Sequence, residues 1–292
     1  MNYLLLFIAS FLLAVDFAVN KLYQKTAGTG IVAGLGFNSI LGLFTAIIFL
    51  AANGFKCSVT VFSLVMATIF SILVMSYNII GFRILKNGSM AVYTLFLMTG
   101  GMIVPYIYGL LFLDEMFSWI RTCGILLIIF AVILSNFSKE KIDKKQILMC
   151  ILVFVINGFT SVVSKVHQIE IGYETVSTND FVILVGVMKL LVAGIAYLAV
   201  RVKSNRASME KKSNKLWQMS VVILTSAIVS GVSFVLQLRG AQDLPASVLY
   251  PFLTGGTMVL SSIVGVIVFK EVISKKTILS VCLCFVGTLL FL

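Results

Sequence analysis

Ten times in 292 residues the chain runs apolar before a charged or polar cluster interrupts it. Each run is close to the roughly 20 residues that a helix needs to cross the ~30 Å hydrocarbon layer of a bilayer. Inside that layer a segment must satisfy its own backbone N–H and C=O groups, so the pattern predicts an all-α integral membrane protein with ten transmembrane helices. The runs cover residues 3–22, 31–52, 60–82, 89–113, 117–137, 145–166, 179–200, 216–238, 246–269 and 275–292. Composition agrees: hydrophobic residues make up 60% and charged residues 11%, and the mean hydropathy of +1.10 lies outside the range of soluble domains.

Little chain remains between the runs. The longest connection, Arg201 to Lys215, is too short for a soluble domain, so one membrane domain is expected. The first run lacks a basic leader and an Ala-x-Ala-like cleavage site, which reads as a permanent helix rather than a removable signal. Five cysteines show no CxxC spacing and read as small apolar fillers.

The net charge of +11 is explained by where the charges fall, not by a nucleic-acid partner. Connections after the odd-numbered helices carry 17 of the 22 Lys and Arg residues, those after the even-numbered helices carry 4, and Lys189 lies within the seventh run. The positive-inside rule then places the odd-numbered connections in the cytoplasm and both termini outside, for a multi-pass protein of the plasma (inner) membrane.

The chain also resembles itself. With a shift of 155, Ala91 falls on Ala246, and Thr99-Gly100-Gly101 falls on Thr254-Gly255-Gly256. One inserted residue later, Glu115 falls on Glu271. With a shift of 144, Asn20 to Gln24 overlays Ser164 to Gln168, and Gly42 lands on Gly186. The reading is two five-helix units, residues 1–138 and 139–292. Five is odd, so the second unit starts on the opposite face and the halves are inverted, as in many secondary transporters.

Asp16-Phe17-Ala18-Val19-Asn20-Lys21 at the end of the first helix, and the twice-repeated order of small residue, apolar helix, Glu and small-residue helix, carry a family likeness. The chain resembles the drug/metabolite transporter superfamily, specifically its ten-helix EamA-like members. The likeness covers nearly the whole chain. It implies a central cavity among helices 1, 3, 4, 6, 8 and 9, with helices 5 and 10 peripheral, and a small-molecule substrate. Many members have Pro where this chain has its Gly-Gly pairs, and many have cytoplasmic termini. Small four-helix multidrug relatives carry a Glu in their first helix, but counted back from Lys21 that column falls on Leu13, one turn from Asp16.

A carboxylate within a membrane helix costs roughly 2.5 to 3.5 kcal/mol on insertion scales, which makes Asp16 the first candidate for substrate or proton binding. Its competing role is a structural ion pair with Lys189. Asn20 shares a face with Asp16, and Asn157, Thr160 and Ser161 occupy the corresponding stretch of the sixth helix. Ser76, Tyr77 and Asn78 form the densest polar cluster in any run, with Asn38 and Gln237 as further candidates. Interhelical hydrogen bonding is the alternative for each. The triplets Thr99-Gly100-Gly101 and Thr254-Gly255-Gly256 read as paired pivots beside the cavity, or as tight packing sites. All three prolines, Pro105, Pro245 and Pro251, lie in the same two helices.

Glu115 and Glu271 mark interfacial helix ends, and His167 is expected in a solvated connection. No protease, hydrolase, P-loop or metal motif is present in the sequence, so neither an enzyme nor a cofactor is expected. The leading expectation is a secondary transporter of a small organic metabolite or drug, working by alternating access and coupled to protons through Asp16. The alternatives are an uncoupled facilitator of neutral or zwitterionic solutes and a non-transporting subunit of a membrane complex. The protein is expected to act as a monomer or homodimer in the lipid bilayer.

Overall fold

The computed structural model describes residues 2–27, 30–87, 90–136, 144–203, 216–270 and 275–292. Among them all regular structure is helical: α1 (Asn2–Ala27), α2 (Ile31–Ala52), α3 (Val61–Asn87), α4 (Met90–Phe112), α5 (Trp119–Asn136), α6 (Lys144–Ile169), α7 (Thr178–Lys203), α8 (Leu216–Asp243), α9 (Ala246–Phe269) and α10 (Lys275–Leu289). Eight of these are long and apolar enough to cross a membrane. The exceptions are α5 and α10, with 18 and 15 residues. At 1.5 Å per residue they reach about 27 and 22 Å, short of the ~30 Å expected from their sequence runs.

Local chemistry sets several of the helix starts. Ser177 and Asp180 form a capping box on α7, with Asp180 N–H donating to Ser177 Oγ and Ser177 Oγ donating to Asp180 Oδ2. Thr60 Oγ1 accepts from Ser63 N–H at the start of α3. Pro245, which needs no N–H partner, precedes α9. The outer surface is apolar: Phe7, Phe11, Ile47, Leu126, Phe130, Ile195 and Ile267 are all exposed, as lipid-facing residues are. Trp119 and Trp217, the two tryptophans, stand exposed at the starts of α5 and α8, where an indole meets the membrane interface.

The packing has a regular order. α1 lies against α8 and α9, and α6 lies against α3 and α4. α2 pairs with α7, α5 with α10, and α4 with α9, while α3 packs on α7 and α2 on α8. Advancing every label by five maps these contacts onto one another. The α2–α7 crossing is close and reciprocal: a Cβ on Gly42 would come within 2.6 Å of the Gly186 carbonyl oxygen, and one on Gly186 within 3.0 Å of the Gly42 carbonyl oxygen. Between α5 and α10, Gly124 meets Gly287, and Ser280 Oγ donates to the Ala131 carbonyl. Two contacts break the order, the smaller being α5 on α9, which α4 and α10 do not match. α6 also touches α8, whereas α1 and α3 do not pack on each other to a comparable extent.

Candidate functional site: a central cavity

Glycines that let helices cross closely leave room elsewhere, and the room lies at the centre. A cavity of about 560 Å³ is lined from α1, α2, α3, α4, α6, α7, α8 and α9, within the range for small-molecule sites. α5 and α10 contribute no lining residue among those described. The resemblance implied six lining helices; α2 and α7 join them, through residues that include Phe37, Asn38, Val185 and Lys189.

At one end the cavity reaches Ser164, Ala241 and Tyr250, beside the α8–α9 connection. At the other it reaches Gln24, Gly34, Asn78 and Tyr93, near the α1–α2 and α3–α4 connections. The first end is closed by fixed polar contacts. Lys165 Nζ donates to the Ala241 and Leu244 carbonyls at the end of α8, at 2.6 and 2.7 Å, a cation on a helix C-terminus. Glu115 accepts from the N–H groups of Ala246 and Ser247, an anion on the N-terminus of α9. Gln242 Nε2 donates to Gln168 Oε1, tying α8 to α6 again.

Two expectations are corrected here. His167 does not lie in a solvated connection, because α6 continues to Ile169 and buries it together with Lys165. The His167 ring stacks on Phe181 with centroids 3.7 Å apart, and its Nε2 bonds Ser63 Oγ at 2.9 Å. Lys189 is therefore not the one basic side chain deep in the helices. Hydropathy ended the sixth run at residue 166, just before His167, whose polar atoms are satisfied inside.

Asp16 lines the cavity and is buried. Its Oδ2 accepts from Asn20 Nδ2 at 2.9 Å, and its Oδ1 accepts from Ser226 Oγ. In place of a direct ion pair, Lys189 lies in the same cavity and interacts with Asp16 electrostatically through space. Ser226 was missed by sequence reasoning: a lone serine in an apolar helix commonly back-bonds to its own turn, and nothing in the spacing distinguishes this one.

Asn20, Tyr77, Asn78, Asn157, Thr160, Ser161 and Gln237 all line the cavity. Ser76 does not; its hydroxyl donates to the Ile72 carbonyl one turn back. Several lining residues are already committed to neighbours. Asn157 Nδ2 donates to the Leu97 carbonyl at 2.7 Å, and Ser161 Oγ donates to the Gly101 carbonyl at 3.3 Å. Gly101 is the residue whose carbonyl Pro105, four positions on, cannot serve with an N–H. A hydroxyl from α6 takes that place, and Tyr250 Oη donates to the Ser161 carbonyl to complete a chain from α9 through α6 to α4.

The triplets divide between two surroundings. Gly101 and Thr254 line the cavity. Thr99 donates to the Leu95 carbonyl of its own helix at 2.7 Å. Gly100 faces the backbone of Phe154 on α6, Gly255 faces Thr288 and Ile128, and a Cβ on Gly256 would come within 2.9 Å of Ser10 Oγ. Tyr77, Asn78 and Thr254 make no side-chain hydrogen bond among the described residues, and Thr257 Oγ1, also on the cavity wall, is buried without a partner. Glu271 lies outside the described residues.

Fold and cavity together define a multi-pass helical membrane protein with an internal solute-sized chamber. The model of the EamA-like transporter family matches residues 144–292, from the start of α6 through α10, and the chain belongs to this family. A solved structure described as a crystal structure of a protein is similar in fold, with a TM-score of 0.75 and 13% identity, covering 99% of this chain and 95% of that one. No curated protein matches.

Proposed function

We propose that the protein is a secondary transporter that carries a small organic solute through the central cavity by alternating access between two inverted five-helix units, residues 1–138 and 139–292. The observation that carries this reading is the larger asymmetry in the packing. α6 and α8 close on each other at the α8–α9 face, while their counterparts five helices away, α1 and α3, stand apart where the cavity reaches Gln24 and Asn78. The packing order that repeats on advancing five helices, and the family match that begins at α6, support the two-unit division.

In the opposite state the repeat reverses the roles. Lys21, which overlays Lys165 in sequence, approaches the end of α3, and Lys165 releases α8. Lys21 Nζ now lies over the Phe269 ring, 4.7 Å from its centroid. Taking the charge bias across the connections as the guide to orientation, the cavity now faces the cytoplasm and both termini lie outside a plasma membrane. Asp16, which retains acceptor capacity beyond its two bonds, is where a proton or a cationic group would couple to the cycle.

The test uses a variant whose five native cysteines are replaced and whose Thr254 is changed to Cys. A membrane-impermeant maleimide is applied to sealed right-side-out and inside-out vesicles. Labelling from both sides is expected of a cavity that alternates. Labelling from one side alone, under every condition tried, would remove alternating access.

A further inference from the structure

Resting on the reading of the cavity as a solute site, we infer that Lys189 is the counter-ion for an anionic group of the solute, so that the site takes an organic carboxylate. Lys189 extends from α7 into the cavity, with Nζ 5.8 Å from the centroid of Phe70. Phe70 is stacked on Phe234 at 5.2 Å, and both rings line the same space.

The ammonium carries three donors, and none of them meets a protein acceptor among the described residues. Other charges inside the fold are treated differently. Asp16 is met by Asn20 and Ser226, Lys165 by two carbonyls, and Asp180 by Asn53 and Ser177. An ion deep in a membrane protein is costly unless it is paired or faces a polar path, and Asp16 offers only a through-space attraction. Among the described residues, the fold satisfies its other buried Asp and Lys and leaves the Lys189 cation facing the cavity.

A cationic solute would meet repulsion there, and a neutral amide would leave the charge unpaired. A carboxylate supplies acceptor atoms and charge together. Thr257 Oγ1 adds one more polar atom without a partner on the wall, and the Phe70–Phe234 stack gives an apolar surface for the body of the molecule. The carboxylate can belong to a simple anion or to a zwitterion, whose ammonium would find the remaining acceptor capacity of Asp16 across the chamber.

Four probes of nearly equal shape separate these chemistries: 4-methylvalerate, 4-methylvaleramide, leucine and leucinamide. Thermal denaturation of the purified protein in detergent is followed as each is titrated, since a ligand of the folded state raises the midpoint by mass action. A saturable rise is expected from a carboxylate but not from its matching amide. Lys189→Gln loses that rise and Lys189→Arg keeps it. With Asp16→Asn, loss of the leucine response while the 4-methylvalerate response stays identifies the zwitterion, and responses to both left unchanged identify the simple anion. Amides that stabilise the wild type as strongly as the carboxylates overturn the inference, as does a wild type that responds to none of the four. A folded Lys189→Gln protein with an unchanged response overturns it too. The wild-type comparison stands even if that variant fails to fold, and the transport reading fails separately, on the two-sided labelling of Cys at 254.

Discussion

At the scale of single residues, the membrane interior makes charge legible and hydroxyls nearly illegible. Asp16 was readable because a carboxylate in an apolar run needs a reason. Its partner Ser226 was not, since serine is tolerated in any membrane helix. Ser226→Ala removes a hydrogen bond to a charged, buried acceptor and is expected to destabilise by about 1–3 kcal/mol, read as a lower melting midpoint in detergent. Ser161→Ala leaves the Gly101 carbonyl without the hydroxyl that stands in for the missing Pro105 N–H. A loss of about 1 kcal/mol is expected, and Pro105→Ala in the same background should restore it by returning the backbone donor, a coupling that a double-mutant cycle measures directly. Unchanged stability in the first variant of each case would show that the hydroxyl is not needed.

At the scale of elements, the ten apolar runs match the ten helices to within a few residues at most described ends, because length and hydropathy alone decide what crosses a bilayer. The exceptions are physical. α1, α3 and α8 run about five residues past their runs, α6 extends past its run because His167 finds a hydrogen-bond partner and an aromatic face inside the protein, and α5 is a shorter helix than its run. The resemblance did not place α2 and α7 in the cavity wall, although Asn38 and Lys189 on them were sequence candidates, and the two helices approach each other closely at Gly42 and Gly186. That approach predicts a sharp contrast. Gly42→Leu forces side-chain atoms into the α7 backbone and should cost at least the ~1–3 kcal/mol of an overpacked core. Gly194→Ala, whose Cβ would meet Ser39 Oγ at an ordinary 3.4 Å, should be neutral or gain up to about 1 kcal/mol from helix propensity. Parallel thermal melts decide it, and equal losses in both variants would contradict the close-crossing account.

At the scale of the whole molecule, the proposed repeat rests in the sequence on the Thr-Gly-Gly triplets and the overlay of Lys21 on Lys165, whereas which end of the cavity carries the fixed polar contacts was not legible there. On the proposed reading the two units carry two equivalent gates, and the difference between them lives in the contacts of one conformation. Lys165 spans α6 and α8, so Lys165→Met should favour opening of the α8–α9 face by about 1–3 kcal/mol, roughly five-fold to a hundred-fold or more in population. The increase would appear as faster maleimide labelling of Cys at 254 from that side. The most direct measurement places spin labels in two pairs, at Ile171 and Asp243 across the α6–α8 gate and at Gln24 and Arg83 across the α1–α3 gate, and records both distance distributions in lipid. The account predicts two populations in each pair moving in opposition, with the α6–α8 distance lengthening as the α1–α3 distance shortens, and Lys165→Met shifting both together. Single, unchanging distances, or two gates that widen and narrow in step, would contradict it.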